Sequence, residues 1–441
     1  MLLSRYLKTR ERDGWVVAFH QLHPAPVYCT IEDWKKFLSD MSPLNPLFDK
    51  LQKSRLLVSS SKEDDLEFES VKNSLMGKLS EPKILYLLLA QGCNFNCSYC
   101  PVPGLAKKYG EDLLSSTDAD AGLELWSRHL ADDEQGESYV IFYGGEPLLN
   151  KPTFYSSLSS ISKLRSEKRL PVKGLNLMLA TNGTLIDEGI VEACIANDVL
   201  ISVGLDGPRQ ANDRFRVYSN GHGTYDDILS MLRHLQDRGV RLAISATITP
   251  YTVVEFKEFS EILRSMGLMN VGFNFLKGET LVRIAPWIDR TEFVRQSVQA
   301  VLDWNRTLQR QGREYQVGKK VMAFRSQDFF PVDCTCYGNQ LVVRPNGLLS
   351  NCPFSGGDLG HVQSVNADFR IAKTEVVQQW RCRLPLLHSA FDDLDAMALC
   401  GPGCAWGAMD SGNLMAVDQE LTAFSQEIFD DLIWSGLEHG E

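Results

Sequence analysis

Six short apolar segments recur between residues 83 and 280, and polar segments with helical periodicity separate them. The apolar segments read KILYLLLAQ, SYVIFYGG, GLNLMLATNG, VLISVGLDG, RLAISATITP and NVGFNFLKG. Two of the intervening segments, DADAGLELWSRHL and TYDDILSMLRHLQDRG, have the spacing of amphipathic helices. Strands that alternate with helices predict an α/β fold with a parallel sheet covered by helices, here a partial (β/α)6 barrel.

The first eighty residues show a different pattern, that of a small separate unit. WVVAFHQLHPAPVYCT reads as two short strands, IEDWKKFLSDM and NPLFDKLQKS as helices, and RLLVSS as another strand. The polar run SSSKEDDLE at 59–67 is interpreted as a linker. We therefore expect a small N-terminal α+β domain over residues 1–82 and the barrel over residues 83–320.

The remaining segment, residues 321–441, is expected to form a third domain. Between 330 and 415 it has many glycines, prolines and cysteines and little periodicity, which predicts that metal rather than an apolar core holds it together. Helical spacing is clear on both sides, at 289–312 and in the tail DQELTAFSQEIFDDLIW. The tail helix carries an apolar stripe that we expect to face the core, formed by Leu421, Phe424, Ile428 and Leu432.

The chain has 441 residues and a formal net charge of −11. This acidic balance argues against non-specific nucleic-acid binding, which needs a basic face. No run approaches eighteen apolar residues, and the charged N-terminal segment lacks the pattern of a secretory signal. We therefore expect a cytoplasmic protein with neither a nucleic acid nor a membrane as partner.

Eleven cysteines give the clearest chemical signal. Disulfides are rare in the cytosol, so clustered cysteines predict metal or redox chemistry. Cys29 and Cys194 are isolated and are interpreted as ordinary buried residues. Three others lie in AQGCNFNCSYCPVPG, with the spacing Cys93-x3-Cys97-x2-Cys100. Three thiols leave one position of a metal centre vacant, whereas structural zinc usually has four protein ligands.

This loop, placed after the first barrel strand with Tyr99 inside it, resembles the radical S-adenosylmethionine (SAM) superfamily. The resemblance implies a [4Fe–4S] cluster on Cys93, Cys97 and Cys100, with SAM on its fourth iron. It also implies that electron transfer to SAM gives a 5′-deoxyadenosyl radical, which abstracts hydrogen from substrate. The cofactors supply this chemistry, and the protein orients them. Structural zinc is the alternative for these thiols.

Other strand ends carry motifs that resemble those of the same family. YGGEP looks like the glycine-rich SAM motif, in which Gly145 lets backbone approach the ligand and Glu146 accepts from the methionine ammonium. GLDGPRQANDRFR resembles the SLDGP stretch of sulfatase-maturase-like enzymes, with Gly204 where serine is usual, and its Asp206 and Asp213 match. The register implies that Arg216 meets the SAM carboxylate and that Leu276 packs on the adenosine.

A second set of cysteines resembles the SPASM extension, which binds auxiliary [4Fe–4S] clusters. The match lies at Cys336, Cys352, Cys400 and Cys404, and the chain departs from the pattern at Phe391 and Leu394, which cannot act as ligands. Cys334 and Cys382 are additional candidates. We infer one auxiliary cluster on Cys336, Cys352, Cys404 and one of Cys334, Cys382 or Cys400, with a second cluster or a zinc-held extension as alternatives.

The family resemblance leads to a functional prediction. Sulfatase maturases carry an aspartate base after the cysteine that matches Cys352, and this chain has Pro353, which cannot take a proton. The first hypothesis is a radical SAM enzyme that modifies a ribosomally synthesised precursor peptide, most simply by a side-chain crosslink (carbon–carbon, ether or thioether). This class resembles the darobactin- and cyclophane-type maturases, and their auxiliary cluster would accept the electron returned by the product radical.

Several alternatives remain open from the sequence alone. Epimerisation needs a hydrogen donor, and Cys334 or Cys382 would supply one; maturation of a folded protein is a second possibility. A redox-sensing iron–sulfur protein is a more remote alternative, because a sensor does not need the SAM-binding motifs. The N-terminal unit is similar to elements that bind a precursor's leader as an added strand, or else it is a structural cap on the barrel. An electron donor such as flavodoxin or ferredoxin is the remaining expected partner.

Overall fold

The computed structural model describes most of the chain. The described residues are 1–102, 112–130, 137–276, 278–308, 314–327, 329–354, 359–366, 368–410 and 412–439. The strands are β1 (Leu2–Leu3), β2 (Leu7–Arg12), β3 (Trp15–His20), β4 (His23–Thr30), β5 (Leu57–Val58), β6 (Ile84–Ala90), β7 (Ser138–Gly144), β8 (Leu175–Thr181), β9 (Val199–Gly204), β10 (Leu242–Ile248), β11 (Val271–Phe275), β12 (Gln340–Val343) and β13 (Leu349–Ser350).

Helices lie between these strands and after them. They are α1 (Ile31–Asp40), α2 (Pro46–Lys53), α3 (Ser61–Lys78), α4 (Ser116–Ser127), α5 (Lys151–Ser166), α6 (Glu188–Ala196), α7 (Arg209–Phe215), α8 (Tyr225–Asp237), α9 (Pro250–Val254), α10 (Phe256–Ser265), α11 (Gly278–Ile284), α12 (Arg290–Leu308), α13 (Tyr315–Ser326), α14 (Glu375–Arg381), α15 (Ala405–Asp410) and α16 (Gln419–His439). The helix predicted at 289–312 is thus present as α12, and residues 309–312 lie outside the described part.

The six predicted barrel strands form one parallel sheet, which confirms the α/β prediction. The sheet order is β11-β10-β9-β8-β7-β6-β12-β13, and each pair from β6 to β11 is parallel. Side chains alternate between its two faces. Leu85, Leu87 and Leu89 of β6 join the core with Trp126 of α4 and Phe154 of α5, so this face meets the helices.

The sheet contains one parallel strand that the sequence pattern does not predict. β12 comes from the C-terminal segment and pairs in parallel with β6, from Gln340 opposite Ile84 to Val343 opposite Leu87. β13 then pairs with β12 in the antiparallel direction. All four residues of β12 are buried, so the apolar run QLVV is used as a central strand.

The N-terminal unit is built around the antiparallel sheet β2-β3-β4. Strand β3 is buried on both faces: Val16 and Ala18 pack with residues of α1 and α2, whereas Val17 and Phe19 pack with residues of α3 and α16. The second of these cores also contains Cys336 and other residues of the C-terminal segment. The unit therefore shares its core with the cysteine-rich segment; its function and the domain boundaries at 82 and 320 stay predictions.

The interpretation of SSSKEDDLE as a linker is wrong, because most of it forms the first turns of α3. Glu63 and Asp64 lie in the first helical turn, where acidic side chains are favoured by the helix dipole. Asp64 is buried and accepts hydrogen bonds from the Ser4 hydroxyl at 2.6 Å and from the Arg5 backbone N–H at 2.9 Å. These contacts come from the start of the chain, so the local pattern does not reveal them.

The apolar stripe predicted in the tail helix α16 is confirmed at its centre. Phe424 and Ile428 are buried in the barrel core. Phe429, Ile433 and Trp434, one position further round the helix, are buried in the core shared with the N-terminal unit. Within the described residues, no helix is both long and apolar enough to span a membrane.

Candidate active site

Three thiols lie in the loop that follows β6. Burial, together with the charges of Glu146 and of the other two thiols of the loop, raises the pKa of Cys93 to about 12. Burial is also the largest cause that raises the pKa of Cys97, to about 11. Buried thiols so close together resist losing their protons unless a cation takes the protons' place. The loop therefore fits a cationic metal centre, as the sequence predicts for Cys93, Cys97 and Cys100.

The GGEP motif at the end of β7 supports this loop directly. A Cβ added at Gly145 would lie 2.1 Å from the Gly92 carbonyl oxygen, and one at Gly144 would lie 2.2 Å from the Ala90 carbonyl oxygen. The Gly145 N–H donates to Ala90 O at 2.9 Å, and the Glu146 N–H donates to Gly92 O at 2.9 Å. The close approach that Gly145 permits is thus to the backbone preceding the thiols, and its predicted contact with SAM stays a prediction.

Glu146 joins the motifs that follow β7 and β8. Its carboxylate is fully buried and accepts from the Thr181 hydroxyl at 2.7 Å, the Asn182 N–H at 2.8 Å and the Leu148 N–H at 3.0 Å. Burial raises its pKa, and these three donors lower it. Carboxylate oxygens accept about four hydrogen bonds, so the ammonium contact predicted for Glu146 remains compatible with this geometry.

Asp206 is a buried acceptor whose central position the sequence does not reveal. Its carboxylate accepts from the Tyr99 hydroxyl, from Arg216 Nε at 3.0 Å and Nη2 at 3.2 Å, and from the Thr247 N–H at 2.8 Å. These donors come from the thiol loop, the segment after α7, and β10. Asp206 thus holds the thiol loop against the strands opposite it.

A contact with Arg216 explains why position 204 is glycine and not the usual serine. A Cβ there would lie 2.5 Å from Arg216 Nη1, so a serine would displace the guanidinium. Gly204 belongs to the strand face that points away from the helices, which places the guanidinium on the inner side of the barrel. Arg216 therefore lies at the rim with Tyr99, and its contact with SAM stays a prediction.

The other two predicted positions occupy different surroundings. Asp213 accepts from the backbone N–H groups of Thr224 at 2.8 Å and Tyr225 at 2.9 Å, so it caps the start of α8. Leu276 follows β11 and is buried in the barrel core. Its predicted packing on adenosine stays a prediction.

Four cysteines of the second set lie together. Burial raises the pKa of Cys336 well above its usual value, and the nearby thiols of Cys334, Cys352 and Cys404 raise it further. Among the three candidates for the fourth ligand, the structure thus brings Cys334 to this group, which we call the auxiliary thiols.

The other two candidates lie elsewhere. Cys400 is fully buried beside the ion pair that Lys320 forms with Asp333, whose Nζ and Oδ1 atoms are 3.0 Å apart. Cys382 is exposed after the last residue of α14. In the part of the chain that the structure describes, no three His, Cys, Asp or Glu side chains are grouped to hold a single metal ion.

Tyr143, a residue of β7 that the sequence pattern does not single out, is near thiols of both sets. Burial raises the pKa of its phenol, and the thiols of Cys100 and Cys352 both raise it further. Its ring lies 6.2 Å from that of Phe354, which follows Cys352 by two residues. The alternation along β7 would have identified Tyr143 as inward-facing, but its neighbour Phe354 comes from another part of the chain.

Comparisons with known proteins identify a matching family and several relatives. The Radical SAM superfamily model matches residues 87–266. The radical SAM cyclopropyl synthase TigE of Paramaledivibacter caminithermalis is 20% identical over 460 residues, covering 95% of this chain and 93% of that enzyme. The cysteine-type anaerobic sulfatase-maturating enzyme of Clostridium perfringens is 27% identical over 168 residues, 37% of this chain and 43% of that enzyme.

Two solved structures share the fold. Native anSMEcpe with bound AdoMet has a TM-score of 0.66 at 18% identity, covering 81% of this chain and 98% of that one. Streptococcus suis SuiB bound to its precursor peptide SuiA has a TM-score of 0.52 at 13% identity, covering 95% of this chain and 99% of that one. Residues 87–266 therefore match the Radical SAM superfamily, whose enzymes use SAM and a [4Fe–4S] cluster.

Proposed function

We propose that this radical SAM enzyme modifies a ribosomally synthesised precursor peptide by forming a side-chain crosslink. The observation that carries the proposal is that Tyr143, an inward-facing residue of β7, is near Cys100 and Cys352 and packs against Phe354, two residues after Cys352. A substrate held in the barrel interior would therefore be near both groups of thiols. Bound SAM and its cluster would supply hydrogen-atom abstraction, and a second cluster on the auxiliary thiols would take up the remaining electron.

Different residues of the site would hold the cofactors and fix the elements around them. Cys93, Cys97 and Cys100 would hold the SAM cluster, while Asp206 fixes Tyr99 and Arg216 at the rim and Glu146 fixes the neighbouring strand ends. The inner side of the opposite strands offers polar groups, among them Ser245 Oγ, which lies 3.0 Å from Asn274 Nδ2. These groups suit the backbone amides of a peptide.

The positions of two cysteines favour crosslinking over epimerisation. An epimerase needs a thiol that gives hydrogen to the substrate, separate from the thiols that hold clusters. Cys334 lies with the auxiliary thiols, and Cys382 is exposed at the end of α14 and is absent from that group. This argument supports the crosslinking proposal, and maturation of a folded protein remains the second candidate because the relatives include a sulfatase-maturating enzyme.

The leader of the precursor would bind to the N-terminal sheet. Its two outer strands are β2 and β4. Proline has no N–H to donate, and β4 contains Pro24 and Pro26, whereas β2 contains none. We therefore assign strand addition to the β2 edge. SuiB, which shares the fold, has been solved with its precursor peptide SuiA. Flavodoxin or ferredoxin would supply the electron.

An anaerobic iron count tests this function. After reconstitution with iron and sulfide, the protein should hold about eight irons per chain and cleave SAM to 5′-deoxyadenosine on reduction. The triple variant Cys93→Ala/Cys97→Ala/Cys100→Ala should keep about four irons and lose SAM cleavage. Zinc in place of iron, with no 5′-deoxyadenosine formed, would overturn the enzyme proposal.

Single variants test the ligand assignment in the same preparations. Cys334→Ser should lower the iron content by about four and leave SAM cleavage in place, because it removes one auxiliary thiol. Cys382→Ser is the matched control and should retain about eight irons. If Cys382→Ser loses about four irons and Cys334→Ser loses none, the fourth ligand is Cys382 and not Cys334. A count of about twelve irons in the unaltered protein would indicate a second auxiliary cluster.

A further inference from the structure

Four aromatic rings form a continuous row from the barrel interior to the auxiliary thiols. Tyr86 and Tyr143 lie 5.8 Å apart at 82°, Tyr143 and Phe354 lie 6.2 Å apart at 74°, and Phe354 and Trp406 lie 5.7 Å apart at 52°. We call these four residues the aromatic wall.

The two tyrosines of the wall face the interior of the barrel. Leu85 and Leu87 of β6 and Phe142 of β7 belong to the core beneath the helices, so the alternate positions Tyr86 and Tyr143 point inward. Each of the four rings is only partly buried. Among the described residues, none covers these four rings completely, so part of each ring is available to a bound group.

The other end of the wall is fixed by the second set of thiols. Phe354 follows Cys352 by two residues, and Trp406 follows Cys404 by two residues in the first turn of α15. Both rings pack against the core that contains Cys336 and Cys352. The wall thus spans the distance between the loop with Cys100 and the auxiliary thiols.

The chemistry of the wall selects its ligand. None of its four members is charged. Asp206 already accepts four hydrogen bonds, and Glu146 accepts three, with its remaining acceptor position predicted for the methionine ammonium of SAM. Neither carboxylate is therefore left for a cationic side chain of the substrate. The tilted and edge-to-face arrangement of the rings matches the way in which aromatic side chains prefer to pack on one another.

We propose that the aromatic wall is the binding site for an aromatic side chain of the peptide substrate, which it holds between the two cysteine groups. This proposal rests on the proposed function and deepens it, because it names the side chain that the enzyme selects. The polar groups of Ser202, Ser245 and Asn274 on the strands opposite would face the peptide backbone.

Binding of small probes to the oxidised, reconstituted full chain tests the proposal without turnover. The probes are N-acetyltryptophanamide, N-acetylleucinamide and N-acetyllysinamide, and saturation-transfer NMR reports their dissociation constants. The tryptophan probe should bind about two- to tenfold more tightly than the leucine probe, since an aromatic pair contributes that much beyond its buried area. Equal binding of the two probes, or tighter binding of the lysine probe, would overturn the proposal.

Substitutions in the wall locate the binding. Phe354→Ala and Trp406→Ala should each weaken binding of the tryptophan probe about two- to tenfold and leave the leucine probe little changed. The matched control is Tyr155→Ala, which removes a partly exposed ring of α5 on the outer helical layer and should change neither. Unchanged tryptophan-probe binding in both wall variants would also overturn the proposal.

Two further measurements keep the result interpretable. If Phe354→Ala or Trp406→Ala loses iron or fails to fold, Phe354→Leu replaces it, because leucine keeps most of the volume and removes only the ring. Formation of 5′-deoxyadenosine after reduction is measured in the same preparations. If SAM is cleaved but the tryptophan probe binds no more tightly than the leucine probe, the aromatic site is rejected and the proposed function is not. If SAM is not cleaved, the proposed function is rejected.

Discussion

Single residues at the candidate site are fixed by contacts with distant segments of the chain. Asp206 shows this, since one carboxylate receives donors from the thiol loop, from Arg216 and from the β10 backbone. Gly145 shows it in a different way, because a missing side chain lets the β7 end touch the carbonyl of Gly92. Both residues act on the cofactor site through the position of the loop.

Gly145→Ala should displace the thiol loop, because its Cβ would lie 2.1 Å from the Gly92 carbonyl oxygen. We expect this variant to keep about four of about eight irons and to lose SAM cleavage at least tenfold. Gly272→Ala is the matched control, since a Cβ there has no atom within 4 Å and β11 is equally regular. Full iron content in Gly145→Ala would show that the loop tolerates the shift.

At the scale of elements, the sheet follows the sequence pattern closely, whereas elements that depend on distant partners do not. The six apolar segments become β6 to β11 because their apolar side chains are buried on a face of the sheet. The polar segment of α3 is helical because its buried Asp64 meets Ser4, and β12 is a strand because β6 pairs with it. The same limit applies to the thiols: Cys334 and Cys336 are neighbours in the sequence, but only the folded chain brings Cys352 and Cys404 to them.

His20, at the end of β3, should make the N-terminal unit sensitive to acid. It is buried, its Nδ1 accepts from the Leu22 N–H at 3.1 Å, and burial lowers its pKa to about 3. Below the ordinary histidine pKa of about 6.5, the unfolded chain therefore binds a proton at His20. The folded chain does not bind this proton until the pH falls to about 3. The contribution of His20 to the free energy of unfolding is fully present above pH 6.5 and is lost as the pH falls. The loss is about 2 kcal/mol between pH 7 and pH 5.

Urea denaturation at the two pH values measures this loss. His20→Gln should remove most of the pH dependence, because glutamine does not titrate. The exposed His222→Gln is the control and should keep the pH dependence of the original protein. An unchanged pH dependence in His20→Gln would contradict the assignment.

At the scale of the whole molecule, the two ends of the chain form one core. Phe19 of β3 packs edge-on against Phe429 of α16, with ring centroids 5.0 Å apart, and the Tyr28 hydroxyl donates to the Ile433 carbonyl oxygen at 2.6 Å. Arg10 pairs with Asp395 at 2.5 Å across the same contact. The N-terminal sheet is thus held by the cysteine-rich segment, and the two should lose structure together.

Phe429→Ala tests this coupling because the ring is fully buried in the shared core. We expect a loss of about 3–5 kcal/mol in the free energy of unfolding. Probes in the N-terminal unit and in the C-terminal segment should show the same shifted transition. Leu66→Ala, at an exposed position of α3, should change stability by less than about 0.5 kcal/mol. Separate transitions for the two regions would show that they unfold independently.

The pairing of β6 with β12 has a consequence for how the chain is made. Val343 lies opposite Leu87, so about 250 residues leave the ribosome after β6 before its second neighbour exists. At about 5–20 residues per second, that interval lasts roughly 13–50 s. Throughout it, the β6 edge of the nascent barrel presents unpaired backbone groups to other chains. Slow synthesis or high expression should therefore favour aggregation through β6, and a chaperone that covers this edge should raise the yield of soluble protein.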